Sequence, residues 1–101
     1  MRRGQIWRYD PVVARPGAST LRLIVSADVV NVNGELPVVL AVHLVTDDPG
    51  SLLAVRVGEH GWARALSIEP AMRRRLVELV DTADTETMER ISSALRAVQD
   101  L

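Results

Sequence analysis

From Gln5 to Val80 the chain is written in short apolar runs cut apart by turn residues, and from Met88 onward its apolar period changes from two to three or four. That change of period constrains the fold more than any other feature. Runs of period two each bury one face and must pair with one another as a sheet. A single helical stripe at the end then has one place to go, which is onto that sheet.

Six runs read as strands. Gln5-Ile6-Trp7-Arg8-Tyr9 alternates apolar and polar, and Thr20 to Ser26 is a strong second strand. Between them, Asp10 to Ser19 reads as a loop with two prolines and a glycine. Asn31-Val32-Asn33-Gly34-Glu35 carries Asn-Gly, the strongest short hairpin signal, so the next strand is expected to return directly. That strand, Pro37 to Val45, is apolar at odd and even positions alike, which predicts a central strand covered on both sides. Thr46 to Gly50 reads as a turn, in which Asp47 and Asp48 are turn formers rather than a metal pair. Leu52 to Val57 and Trp62 to Leu66 form the next pair, joined through Gly58-Glu59-His60-Gly61. Glu69 to Arg75 fits a short helix or an irregular turn, and Leu76 to Val80 reads as the last strand.

Met88, Ile91, Leu95, Val98 and Leu101 make one helical stripe. Asp84 is a good N-cap, with Glu86 in the first turn, so a helix is expected from Thr85 to about Val98. The predicted fold is mainly β: one domain over residues 1–101, a small twisted antiparallel sheet or SH3-like half-barrel with one C-terminal helix. Its core is thin for its length, which favours a dimer.

Composition narrows the function. No apolar run approaches the roughly 18–20 residues that cross a bilayer, and Met1 to Arg8 lacks the apolar centre of a signal peptide. No membrane partner and a cytoplasmic location are therefore expected. The absence of cysteine removes disulfides, thiolate zinc sites and cysteine nucleophiles. With two histidines, His43 and His60, no metal site and no cofactor are expected. The net charge of −1 argues against a general duplex-DNA binder. All 12 basic residues are Arg; codon usage accounts for this, yet Arg is also the better residue for forked phosphate contacts.

Three groups of residues resemble a known family. Arg2-Arg3-Gly4-Gln5-Ile6-Trp7 resembles the opening R-R-G-E-I-W of MazF/PemK-type toxins. Leu23-Ile24-Val25-Ser26-Ala27-Asp28 resembles the L-I-V-S-N-D that follows their first loop, and Met88 to Leu101 resembles their closing helix. The resemblance spans nearly the whole chain. It implies a homodimer held in check by a cognate antitoxin, the toxin of a type II toxin–antitoxin system, and metal-independent cleavage of single-stranded RNA. Leu21 to Val25 with Gly58 to Trp62 is similar also to the CcdB-type gyrase poisons of the same superfamily. Those end in Trp-Gly-Ile, whereas this chain ends Val98-Gln99-Asp100-Leu101. A topoisomerase inhibitor or a non-catalytic relative is the alternative reading.

Metal-free RNA cleavage uses the ribose 2′-OH as nucleophile and needs a base, an acid and a cation for the phosphorane charge. The family implies an Arg just before the second strand and a Thr or Ser at the end of the third. Here Thr20 stands at the Arg position and Leu21 at the following Pro; Val45 stands at the Thr position, with Thr46 one residue late. Because residues two apart in a strand share a face, Arg22 takes the face of Thr20 and His43 that of Val45. Thr46 points the other way unless the strand end turns it. The expected catalytic set is Arg22, His43 and Thr46, with Arg15, Ser19 and Thr20 lining the RNA groove. The plainer alternative makes His43 a half-buried strand histidine and Arg22 a sheet-edge cation. Arg73-Arg74-Arg75 reads as a solvated turn, and Trp7 and Trp62 as core or interface. Asp28 is expected to tie down the strand end or the hairpin.

Overall fold

In the computed structural model, residues 1–10, 20–51 and 53–99 are described. Arg15, Ser19 and Leu101, and with them most of the first loop, lie outside these residues. Strands β1 (Gln5–Tyr9), β2 (Leu21–Ile24), β3 (Val38–Val45), β4 (Ala54–Arg56), β5 (Trp62–Met72) and β6 (Leu76–Thr82) pair antiparallel in the order β4-β5-β3-β2-β1-β6. A four-residue helical turn, α1 (Asp28–Asn31), interrupts the β2–β3 connection, and helix α2 (Thr85–Gln99) closes the chain. Among the described residues no helix is long and apolar enough to cross a membrane.

The alternation in sequence becomes two apolar clusters, one on each face of the sheet. Ile6, Leu23, Val42 and Leu44 meet Ile91, Ala94 and Leu95 of α2 on one face. Each buried Val, Leu or Ile side chain there contributes about 1.5–3 kcal/mol relative to exposure. Ile24, Val39, Ala41, Ala71 and Leu76 form the second cluster, with Trp7 and Tyr9 packed against it. Helix α2 begins as the sequence predicts: Thr87 N–H donates to Asp84 Oδ1 at 2.7 Å.

Four expectations need correction. Asn33-Gly34 makes no two-residue hairpin turn. The chain leaves β2, winds through α1 and turns at Asn33, whose carbonyl accepts from Leu36 N–H at 3.1 Å. Ser26 and Asn31 explain the detour. Asn31, fully buried, donates through Nδ2 to Ser26 O at 2.8 Å and to Asp28 Oδ1 at 3.0 Å, and Ser26 Oγ contacts its Oδ1. A buried amide bonded on both sides outweighs a local turn preference. Asp28 also accepts from Arg3 N–H at 2.6 Å, so it ties α1 to the N-terminal segment.

The stretch Glu69 to Arg75 is neither helix nor irregular turn throughout: β5 runs on to Met72, and only Arg73–Arg75 form a 3₁₀ turn. Pro70 is tolerated because β4 pairs β5 only at Trp62 to Arg64, which leaves the far side of Pro70 without a strand to receive an N–H. Strand β3 is central, as expected, but only partly covered. Val38 and Leu40 remain exposed on the helix face, beyond the reach of α2.

The arginine run is likewise more than a solvated turn. Arg73 donates Nε to Leu36 O at 2.9 Å, Nη1 to Asn31 O at 2.7 Å, and Nη2 to Val30 O at 3.1 Å and Asn33 O at 3.0 Å. One guanidinium thus clasps four carbonyls of the β2–β3 connection. Arg73→Ala is expected to lower stability by about 2–3 kcal/mol, and Arg73→Lys to recover little of it, because an ammonium lacks the planar fork. Urea denaturation of the two variants checks this, with Arg74→Ala, an exposed neighbour, as the near-neutral control.

Hydrogen bonds also hold three carboxyls below their ordinary value of 3.8: Asp28 through Arg3 N–H and Asn31, Asp81 through the His60 ring and Thr82 N–H, and Asp84 through Thr87. The unfolded chain therefore binds more protons than the folded one in this range. The contribution of these groups is complete above their unfolded values and disappears as pH falls through the depressed ones. Urea midpoints measured from pH 5 to pH 3 are expected to fall, and to fall less steeply in an Asp28→Asn/Asp84→Asn variant. Parallel curves for the two proteins would remove this account of acid sensitivity.

Candidate active site

Register places the candidate residues. In the β2–β3 ladder Arg22 pairs directly with His43, so the two side chains stand opposite each other on one face. On β1, Trp7 pairs with Arg22, which puts Trp7 and Tyr9 on the same face. On β5, Glu69 pairs with Ala41, two residues from His43, and shares that face as well. The result is a cluster built from four strands: Tyr9, Arg22, His43 and Glu69.

The contacts join it. Glu69 Oε1 lies 3.3 Å from Arg22 Nε and contacts His43 Nε2. The Arg22 guanidinium carbon sits 4.8 Å from the centroid of the Tyr9 ring, and its Nη1 donates to Leu21 O at 3.1 Å. Arg22 is only 6% exposed. Burial pulls its pKa below the ordinary value, while the charges of Glu69 and Tyr9 and the hydrogen bond to Glu69 pull it back. A guanidinium remains a cation under these opposing effects. His43 and Glu69 are each part-exposed, so the cluster opens to solvent through them while Arg22 forms its floor.

An irregularity in β5 makes the opening. Val42 pairs with Ile68 and Leu44 with Ala63, so residues 64–67 leave the β3 ladder opposite His43 alone, with Arg64 still paired to Ala54 of β4 and Ala65 buried. Leu66 within the bulge is 65% exposed. A bulge bends the strand and leaves room beside the opposed residue, a device common next to active sites.

The other expected residues lie apart. Thr20 is exposed just before β2, and its carbonyl accepts from Tyr9 N–H at 2.6 Å. Thr46 is exposed beyond the end of β3, against the turn at Gly61. Its position follows the strand parity, one residue past Val45. Glu69 is the residue that sequence reasoning missed. Its place in an apparently irregular stretch hid the strand that carries it to His43. The one usable signal was the alternation of Ile68, Pro70 and Met72 around it.

On the opposite face, a groove of about 900 Å³ runs between β4–β5 and α2, lined by Trp62, Arg56 and Arg90 among others. It holds none of the four clustered residues. Among the described residues no group of three or more His, Asp or Glu side chains is placed to hold a metal ion.

No family profile matches the chain, and no curated protein matches it in sequence. Solved structures do. An endoribonuclease from a mycobacterial species superimposes with a TM-score of 0.82 at 28% identity, over 100% of this chain and 92% of that one. A mycobacterial endoribonuclease in complex with its cognate antitoxin gives 0.84 at 28% identity, over 100% and 96%. MazF from Deinococcus radiodurans gives 0.75 at 16% identity, over 99% and 96%. The chain has a MazF-like toxin fold. The MazF-like scaffold accounts for the strand order, the closing helix and the full-length match. On this scaffold Tyr9, Arg22, His43 and Glu69 form the cluster described above.

Proposed function

We propose that this MazF-like protein is the toxin of a type II toxin–antitoxin pair and cleaves single-stranded RNA without a metal cofactor. It would act in the cytoplasm as a homodimer and be restrained by a cognate antitoxin. One observation carries the reading: a cation and an imidazole face each other across two adjacent strands, on a face opened by a bulge. The mycobacterial structures that match over the whole chain, described as endoribonucleases and in one case as bound to a cognate antitoxin, support it.

The chemistry follows from the residues. A phosphodiester entering over His43 would meet the Arg22 guanidinium, whose charge offsets the second negative charge of the phosphorane. The imidazole of His43 is the proton carrier, because its ring nitrogen can donate or accept and it stands directly opposite Arg22. Thr20 is proposed to contact the RNA beside Arg22, together with Arg15 and Ser19. Thr46 enters this reading only through a rearranged strand end, so it is proposed as an accessory and not as the proton donor.

Incubating the purified protein with a long RNA in EDTA tests this. Discrete fragments are expected, and a 2′-deoxy substitution at a mapped cleavage site should block cutting there. Intact RNA, together with growth inhibition that survives Arg22→Ala and His43→Ala, would turn the reading toward a non-catalytic toxin.

A further inference from the structure

Resting on that reading, we propose that Glu69 is the general base of the cleavage, with His43 as the general acid.

Three groups must act on a scissile phosphodiester, and Arg22 and His43 supply two. A guanidinium does not accept a proton, so Arg22 cannot be the base. Tyr9 is engaged by the face of its ring beneath Arg22. Glu69 is the carboxylate of the cluster and contacts both partners, through Arg22 Nε at 3.3 Å and through His43 Nε2. Its contact with His43 sets a carboxylate oxygen, which can accept a proton, beside a ring nitrogen that can carry one.

The proton balance closes. Glu69 takes the proton of the ribose 2′-OH. The 2′-oxygen attacks phosphorus, forming the P–O2′ bond, while the P–O5′ bond breaks. His43 Nε2 gives its proton to the departing 5′-oxygen. The products are a 2′,3′-cyclic phosphate and a 5′-OH. The enzyme is left with protonated Glu69 and neutral His43, and one proton transfer across their contact restores the resting pair. Before reaction the phosphate takes the place of the Glu69 carboxylate on Arg22. Glu69 can give way because its side chain is 42% exposed, whereas Arg22 at 7% is fixed.

The test uses the full chain in EDTA and a short ribo-oligonucleotide spanning a mapped site, in two forms. One has the ordinary 5′-oxygen at the scissile bond; the other has a bridging 5′-sulfur, which leaves as a thiolate and needs no acid. Glu69→Gln is expected to slow both substrates by about 10²–10³-fold. His43→Ala should slow the oxygen substrate by a similar factor and cut the sulfur substrate within about tenfold of the parent. Thermal midpoints near the parent's establish that each variant is folded. Glu69→Gln cleaving at the parental rate or faster would make Glu69 a plug over Arg22 and overturn the assignment, leaving the nuclease reading intact. Sulfur rescue of Glu69→Gln in place of His43→Ala would overturn it too. A parent protein that cuts neither substrate fails the nuclease reading itself.

Discussion

His43→Ala and Arg22→Ala are each expected to lower RNA cleavage by about 10²–10³-fold, with growth inhibition lost in both. The two arise from different causes and separate in other measurements. His43 is part-exposed at the mouth of the cluster, so its loss should leave the unfolding midpoint nearly unchanged. Arg22 lies buried against the Tyr9 ring, between β1 and β3, and its loss opens a gap beside the second apolar cluster. Arg22→Ala is therefore expected to cost about 1–2 kcal/mol of stability in addition to activity. Arg22→Lys keeps the charge and most of the stem while losing the fork, so it should be nearly as stable as the parent and still slow. Measured by single-turnover cleavage and urea denaturation on the same preparations, the three variants divide charge, packing and proton transfer. If Arg22→Lys cut as fast as the parent, a bare positive charge would suffice, and the forked phosphate contact would have no role.

The sheet was legible because it is written in local pattern. Each short apolar run became a strand, and the stripe from Met88 became α2, because both patterns report which residues are buried. What was not legible depends on partners far away in sequence. Asn33-Gly34 carries a local hairpin signal, but Asn31 is satisfied by Ser26 and the whole connection is held by Arg73, 42 residues on from Asn31. No window around residue 33 contains that information. Glu69 is a similar case. Pro70 and the three arginines beside it disguise a strand, and only the register with β3 reveals which face the carboxylate takes. Arg22 and His43 were named because strand parity puts each on the face of a position that the family resemblance marks, Thr20 and Val45. Their direct pairing, and the acid that joins them, required the fold.

Gly61→Ala is expected to cost about 3–5 kcal/mol, or to prevent folding at 37 °C. Gly61 has φ 105° and ψ −146°, a conformation that side chains at Cβ strongly disfavour, worth about 1–3 kcal/mol by itself. A Cβ there would also stand 2.2 Å from Val45 O and 2.9 Å from Val45 C. Those atoms belong to the end of β3, where Val45 pairs with Trp62, so neither backbone can retreat without breaking the ladder. Gly58, in the same connection, is the control. Its φ of 53° is left-handed, but nothing lies within 4 Å of a Cβ placed there. Gly58→Ala should therefore lose only about 1–2 kcal/mol, the conformational part alone. Urea midpoints of the two variants measure the difference, which is the steric part. The consequence reaches the cluster, because β3 carries His43 two residues before Val45. If Gly61→Ala folds at reduced temperature, its end of β3 must shift to admit the methyl group, and cleavage is expected to fall while that of Gly58→Ala stays parental. Equal stability for both variants would mean that β3 and the start of β5 do not approach this closely, and with that the placement of His43 beside the bulge would be lost.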